Sequence, residues 1–322
     1  MMHMLTLRLK TSIALYALTV AQIACSPIRE EEGKRLEFVF ITTCVDEDFF
    51  DPVKKGMRDA ADLMGVECAF TGTPGVDARG QAEMVREAIG RGVDGIALNI
   101  IDSVAFDGVI GESLARGIPV VAFNGDDSRS PNGRLSSVCQ NLYLAGKQLG
   151  EALSGQIPDG SRVVVTVHSA GISALEERVR GIRDGLRGKD LSFETVITTN
   201  TVDSAERAIT DALRRNPGVE AVLCTGLADT EAMGNVLEKG IEGRGIKAAG
   251  FDLSPAILRH VEAGTLLFTI DQQPYMQGFL PVIQLALYRR YGILPSDNEI
   301  GAVFVTEDNV AQVRDLTVNG YR

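Results

Sequence analysis

Histidine is scarce, cysteine is scattered, and no nucleotide loop of the usual kinds is present. The three histidines are His3, His168 and His260, and no H-E-x-x-H string occurs, so a histidine-built metal or hydrolytic centre lacks its ligands. Cys25, Cys44, Cys68, Cys139 and Cys224 stand singly with no C-x-x-C pair, which leaves zinc and dithiol redox chemistry without support. Cys44, Cys68 and Cys224 fall in or at the ends of apolar strand-like runs, where a free cysteine behaves as a small hydrophobe. There is no Walker A sequence. A G-x-G-x-x-G string does occur, from Gly90 to Gly95, but it leaves a helix and enters a strand. The dinucleotide fingerprint runs the other way, so this one reads as a helix C-cap and turn. "VHSAG" around His168 lacks the first glycine of a nucleophile elbow, and acyl transfer has no support.

Positive charge is also in deficit. The chain has 32 Lys plus Arg against 43 Asp plus Glu, net −11. Such a surface repels phosphate backbones, and nucleic acid is excluded as an expected partner because affinity there depends on cationic neutralisation. Long apolar runs are missing except at the N-terminus. There, Arg8 and Lys10 precede "TSIALYALTVAQIA", an uncharged stretch of 14 residues. It is short for a membrane span, which needs about 20 residues, and small residues end it, the layout of a signal peptide over residues 1–25. Cleavage would follow "TVA" at Ala21 or come just before Cys25. In the second case Cys25 would carry a lipid anchor, with Gln22 where an apolar residue is usual.

What is present is an α/β pattern long enough for two domains of roughly 100–150 residues. Short β-branched runs at 36–43, 66–72, 94–100, 118–124, 161–167, 193–199, 219–225, 246–252 and 266–271 alternate with helical segments. In "DPVKKGMRDAADLMG", Val53, Met57, Ala60, Ala61 and Met64 form one apolar stripe. "GVDGIALNI…ARGIPVVAFNGDD" (92–127) is echoed by "GVEAVLCTG…GRGIKAAGFDLSP" (218–255), which predicts two similar halves. The strands are apolar along their length, as parallel strands covered by helices on both faces must be. Ligands of such sheets bind beyond the strands' carboxyl ends.

The residues placed there are hydrogen-bonding groups and aromatics without a nucleophile. Asp46, Asp48, Phe49 and Phe50 follow the first strand and Asp102 the third. Asn124 closes the fourth, where Asp127 and Gly125 read as a solvated turn, and its counterpart in the repeat is Asp252. Gln140 follows "SSVC", Arg178 opens "RVRG", and Gln272 ends the last strand. His168 closes strand 161–167, where a cleft position is open to it, and His260 is expected on a solvated helix face. Carboxylates and amides both suit hydroxyls, and an arginine donates in a fixed fork. The set fits a polyhydroxylated ligand held without reaction.

The ordered strings "DFFDPVKKGMRDAA", "GVDGIALNIID", "GIPVVAFNGDD", "VCQNLYLAGKQLGE", "ERVRGIRDGL", "VEAVLCTG", "AAGFD" and "TIDQQPYMQG" over about 36–320 resemble periplasmic sugar-binding proteins of the ribose-binding type. The resemblance implies the type I periplasmic binding protein fold, two doubly wound parallel-sheet lobes on a three-crossover hinge. Lobe one would comprise 36–140 and 273–300, and lobe two 141–272 and 301–322. It further implies a monomer, periplasmic, without cofactor or metal, that closes on a small sugar or polyol and delivers it to an ABC transporter permease. By the family's pattern Phe49 and Phe50 are the first lobe's aromatic pair. Asn124 and Asp252 are strand-end ligands, Gln140 and Gln272 sit at crossovers, and Arg178 is the second lobe's arginine. Asn124 and Gly125 stand where the ribose binders have Asp and Arg, and in "VLCTGLADTEAMG" Thr225 or Asp229 takes the place of a missing asparagine. Ribose, another pentose, a furanose and a polyol therefore all stay open. A chemotaxis or signalling receptor uses the same closed form. An enzyme of similar fold would need a reactive group, and a two-lobed transcription regulator would need an N-terminal helix-turn-helix in place of the signal.

Overall fold

The computed structural model describes residues 34–322 except 103, 127–131, 171 and 241–244. The leader at 1–25, Cys25 and Asp127 lie outside the described residues. Two six-stranded sheets form two lobes. The first runs β11 (Asn298–Glu299), β5 (Ser136–Cys139), β4 (Val120–Asn124), β3 (Gly95–Leu98), β1 (Glu37–Thr42), β2 (Glu67–Gly72). The second runs β12 (Val303–Val305), β10 (Thr269–Asp271), β9 (Lys247–Phe251), β8 (Val219–Leu223), β6 (Arg162–Val167), β7 (Ser192–Ile197). All pairings are parallel except β10 with β12. In each sheet the chain first winds one way and then the other, so a crevice opens beyond the carboxyl ends of the inner strands.

Among the described residues ten helices cover the sheet faces: α1 (Phe50–Met64), α2 (Ala78–Arg91), α3 (Asp107–Ala115), α4 (Leu142–Ser154), α5 (Ser173–Gly185), α6 (Val202–Arg215), α7 (Leu227–Glu238), α8 (Pro255–Glu262), α9 (Pro274–Tyr291) and α10 (Val310–Val318). Strand periodicity explains the apolar runs. Phe38 and Phe40 of β1 pack with Val53, Met57, Val282 and Leu285 of α1 and α9, while Val39 and Ile41 face Val85, Ile89, Val109 and Ile110 of α2 and α3. Both faces of the strand are thus buried, each large side chain contributing about 1.5–3 kcal/mol of transfer free energy. In the second lobe Val163 and Val165 face Leu149 and Ile182 of α4 and α5, and Val164 faces the α6 side.

The stripe anticipated from 53 to 64 is the buried face of α1, Val53, Met57, Ala60 and Ala61, joined by Phe50 and Gly56. Gly92 caps α2 at φ 72°, its N–H on Ala88 and Ile89 carbonyls, so the Gly90–Gly95 string is a helix end and turn. β5, β11 and β12 were not anticipated. They have two to four residues each, too short for a period to show. Among the described residues no helix is long and apolar enough to cross a membrane.

The chain changes sheets after β5, after β10 and between β11 and β12. Glutamines tie these crossings together: Gln140 Nε2 donates to the Gly301 carbonyl at 2.9 Å and Gln273 Nε2 to the Ile300 carbonyl at 2.6 Å. The helices after the first two crossings dock by glycine seams. A Cβ on Gly278 of α9 would lie 1.9 Å from the Val53 carbonyl of α1, and one on Gly146 of α4 would lie 2.2 Å from the Arg178 carbonyl of α5. Backbones this close fix the helices against each other and, in the second case, fix Arg178.

Candidate ligand-binding cleft

Between the lobes lies a cleft of about 990 Å³, lined by the loops that follow the strands' carboxyl ends. Arg178, on α5, is 4% exposed. Its Nη1 donates to the Thr225 carbonyl at 2.6 Å, its Nη2 to Gln140 Oε1 at 2.8 Å, and its guanidinium lies 4.0 Å over the Phe251 ring. The buried Nε–H has no hydrogen-bond partner among the described residues. Gln140 is not part of the cleft lining; it stands behind Arg178 and holds the fork from the first crossing.

Asn124 and Asp252 occupy equivalent strand ends, on β4 and after β9, and both are non-glycine residues in the left-handed region, at φ 61° and 73°. Such backbone costs of order 1–3 kcal/mol and persists where its surroundings hold it. Here side chains do so. Asn124 Nδ2 donates to Gln277 Oε1 at 3.0 Å, Gln277 Nε2 donates to the Gln272 carbonyl at 2.9 Å, and Gln272 Nε2 donates to Asp252 Oδ1. One network therefore joins both strand ends through the second crossing.

Burial pushes the Asp252 carboxyl up to about 6, against the pull of Arg178 and Gln272. Its usual value is 3.8, so from about pH 4 to 6 the folded protein binds more protons than the unfolded chain. Stability from this group falls as pH rises through that window. Asp252→Asn removes the effect: the stability of wild type relative to the variant should fall by about 2 kcal/mol between pH 4 and 7. Melting curves of both proteins at the two pH values check this, and a constant difference would contradict it.

Phe49 and Phe50 meet edge to face at 5.1 Å between centroids. Both line the cleft, Phe50 buried at the start of α1 and Phe49 half-buried. Asp46 and Asp48 line it beside them. Asp102 is not brought there: its carboxylate accepts from the Val104 and Ala105 N–H groups at 2.9 and 2.8 Å, closing the turn before α3. Of the two replacements considered for the missing asparagine, both line the cleft but serve lobe two. Asp229 accepts from Thr166 and from the Thr225 N–H, and the Thr225 hydroxyl donates to the Thr166 carbonyl. His168 lines the cleft, its ring held neutral because burial and Arg178 push it down to about 4. His260 is not on a solvated face; it is buried against Gly234 and paired with Asn235 Oδ1 at 2.9 Å. A glycine opposite leaves room for the ring, a long-range fit that helical periodicity does not reveal.

Thr43, Cys44, Glu47, Asn99, Asn200 and Asp271 also line the cleft and are not among the residues expected there. Burial, with Asp252 and Asp48 near, pushes Glu47 up to about 7. Its position two residues before Phe49 was the available signal.

The family of periplasmic binding protein domains matches residues 38–289. A xylose/arabinose-binding protein of Sulfolobus acidocaldarius is 33% identical over 289 residues, covering 85% of this chain and 72% of that protein. A ribose import binding protein of Bacillus subtilis is 23% identical, covering 84% and 88%. A carbohydrate transporter from Acidothermus cellulolyticus, solved in complex with myo-inositol, superposes with a TM-score of 0.80 at 29% identity, covering 90% of this chain and all of that one. With the two-lobed fold and the cleft at its strand ends, the match places the chain in the periplasmic binding protein family.

Proposed function

We propose that this protein is a solute-binding protein that captures a small neutral sugar or polyol between its lobes and presents it to an ABC transporter permease. The observation that carries the reading is the linked set at the strand ends. Arg178 with its unpartnered Nε–H, Asp252, Gln272 and Asn124 border one cleft from both lobes, with Phe49 and Phe50 beside them. Gln140 supports Arg178 from behind, so its role is positioning. Amide and carboxylate oxygens accept from ring hydroxyls, the arginine donates, and the aromatic faces cover C–H surface. Each charge-assisted bond contributes about 1.5–3 kcal/mol, enough for affinity without chemistry.

Asp46, Glu47, Asp48, Asp252 and Asp271 line the cleft against Arg178 and Arg322, which favours neutral ligands over sugar acids and phosphates. The relatives support the sugar class, being named for xylose and arabinose, and for ribose. The lobes divide as 36–140 with 273–300 and 141–272 with 301–322, so closure turns about the glutamine-tied crossings. The protein acts as a monomer in the periplasm, delivered by the leader at 1–25, with or without a lipid on Cys25. It needs no cofactor or metal and turns nothing over.

A thermal-shift screen of residues 26–322 against pentoses, hexoses, polyols, uronic acids and sugar phosphates tests the reading. A ligand at 100 times its Kd stabilises by about 2.7 kcal/mol, a rise of several degrees. A neutral sugar or polyol should give that shift; a shift with anionic ligands alone, or with none of the panel, would contradict it.

A further inference from the structure

The crossings pin the lobes at one side of the cleft, and a different contact spans it elsewhere. Glu47 belongs to the loop between β1 and α1, in lobe one, and Asn200 to the loop between β7 and α6, in lobe two. Asn200 Nδ2 donates to Glu47 Oε1 at 2.5 Å, and the same nitrogen lies 3.4 Å from Cys44 Sγ. These are side-chain bonds between the lobes at neither end of a crossing. In the second sheet β7 is the edge strand opposite β10, four strands away, or about 19 Å at the usual spacing. In the first, β1 lies three strands from β5, about 14 Å. Opening about the crossings therefore moves Glu47 and Asn200 apart by a long lever, whereas the glutamine bonds at the crossings stay close to the axis.

Both sides hold their groups in place. Cys44 and Thr199 sit in the left-handed region at φ 53° and 59°. The Thr43 hydroxyl donates to the Gly75 carbonyl at 2.6 Å, and the Ser204 hydroxyl to the Thr198 carbonyl at 3.0 Å. The loops thus present a preformed acceptor and donor to each other.

We propose that Glu47 and Asn200 form a latch that stabilises the closed form directly, and so sets the affinity for every ligand by a common factor without touching any of them. This rests on the reading of the cleft as a site that opens and closes. A ligand that binds only the closed form has its apparent Kd divided by the closed fraction, so a weaker latch weakens all ligands alike. A hydrogen bond to a carboxylate supports a factor of roughly ten.

The test compares Asn200→Ala, Glu47→Ala, the double variant and Glu47→Gln, which keeps an acceptor oxygen. Small-angle scattering without ligand reads the closed fraction, and calorimetry reads Kd for two or more sugars found by the screen. Both alanine variants should shift the ensemble toward the open form and raise Kd about tenfold for each sugar by the same factor. The double variant should be no worse than either, and Glu47→Gln should retain most of the affinity. Unchanged scattering in the alanine variants, or losses in the double variant that multiply, would overturn the latch. A loss in Glu47→Ala that differs from sugar to sugar would make Glu47 a ligand contact and also overturn it. The scattering arm stands even where no sugar binds, so failure of the latch and failure of the sugar reading are told apart.

Discussion

Arg178→Ala is expected to weaken sugar binding at least a hundredfold and to destabilise the protein by about 3 kcal/mol. The side chain is buried, its two amino groups are committed to Thr225 and Gln140, its plane stacks on Phe251, and Asp252 lies within its field. Truncation leaves a carbonyl, an amide oxygen and a carboxylate without their donor or counter-charge. Breaking such a buried arrangement from one side costs more than the arrangement itself contributes, because the remaining groups cannot be rehydrated. Arg178→Lys should fall between, since a lysine keeps the charge but offers neither the fork nor the stacking plane. Calorimetry and melting curves of the three proteins check this; binding by the alanine variant within a few fold of wild type would remove Arg178 from the site.

The second large effect is expected far from any ligand. In the α4–α5 seam, Cβ atoms on Gly146, Gly181 and Gly185 would fall 2.1 to 2.3 Å from carbonyl oxygens of the facing helix. Gly146→Val must push α5 away, and the carbonyl it meets belongs to Arg178 itself. The variant should lose 3 kcal/mol or more, about the upper range for overpacking, together with affinity, since the guanidinium is carried on the displaced helix. Gly111→Ala is the contrasting change. A Cβ there meets nothing within 4 Å and the φ is ordinary, so the substitution should stabilise by about 0.5–1 kcal/mol. Equal and small effects of the two changes would show that the seam is not tight.

The contrast marks what a sequence conveys. Phe38 to Ile41, or Val120 to Phe123, announce a doubly covered strand because burial on both faces forces apolar residues at every position. Repetition of that unit with a polar residue at each strand end made Asn124 and Asp252 legible, and both prove to share a left-handed backbone. Gln140, Arg178 and Gln272 stand out as polar groups beside strand-like and helical strings, and the resemblance gives them roles; their spacing alone carries no geometry. The structure brings all three into one connected region but shows Gln140 acting on Arg178 from outside the cleft.

Asp102 looked equivalent to the other strand-end acids, yet its carboxylate is spent on the two N–H groups that follow it. An Asx-type turn and a ligand contact present the same residue at the same place, and only side-chain direction separates them. The contact between Glu47 and Asn200 is illegible for another reason. Their pairing depends on the relative placement of two sheets, a relation between residues 153 apart that no local pattern encodes.

The central claim, that one sugar is held by groups from both lobes, is tested most directly by a crystal structure of the protein with the screen's best ligand. The sugar should lie in the interlobe cleft, within hydrogen-bonding distance of Arg178, Asp252 and Gln272 and of Asn124 from the other lobe, with Phe49 or Phe50 against its ring. A ligand bound outside the cleft, or touching residues of a single lobe, would contradict it.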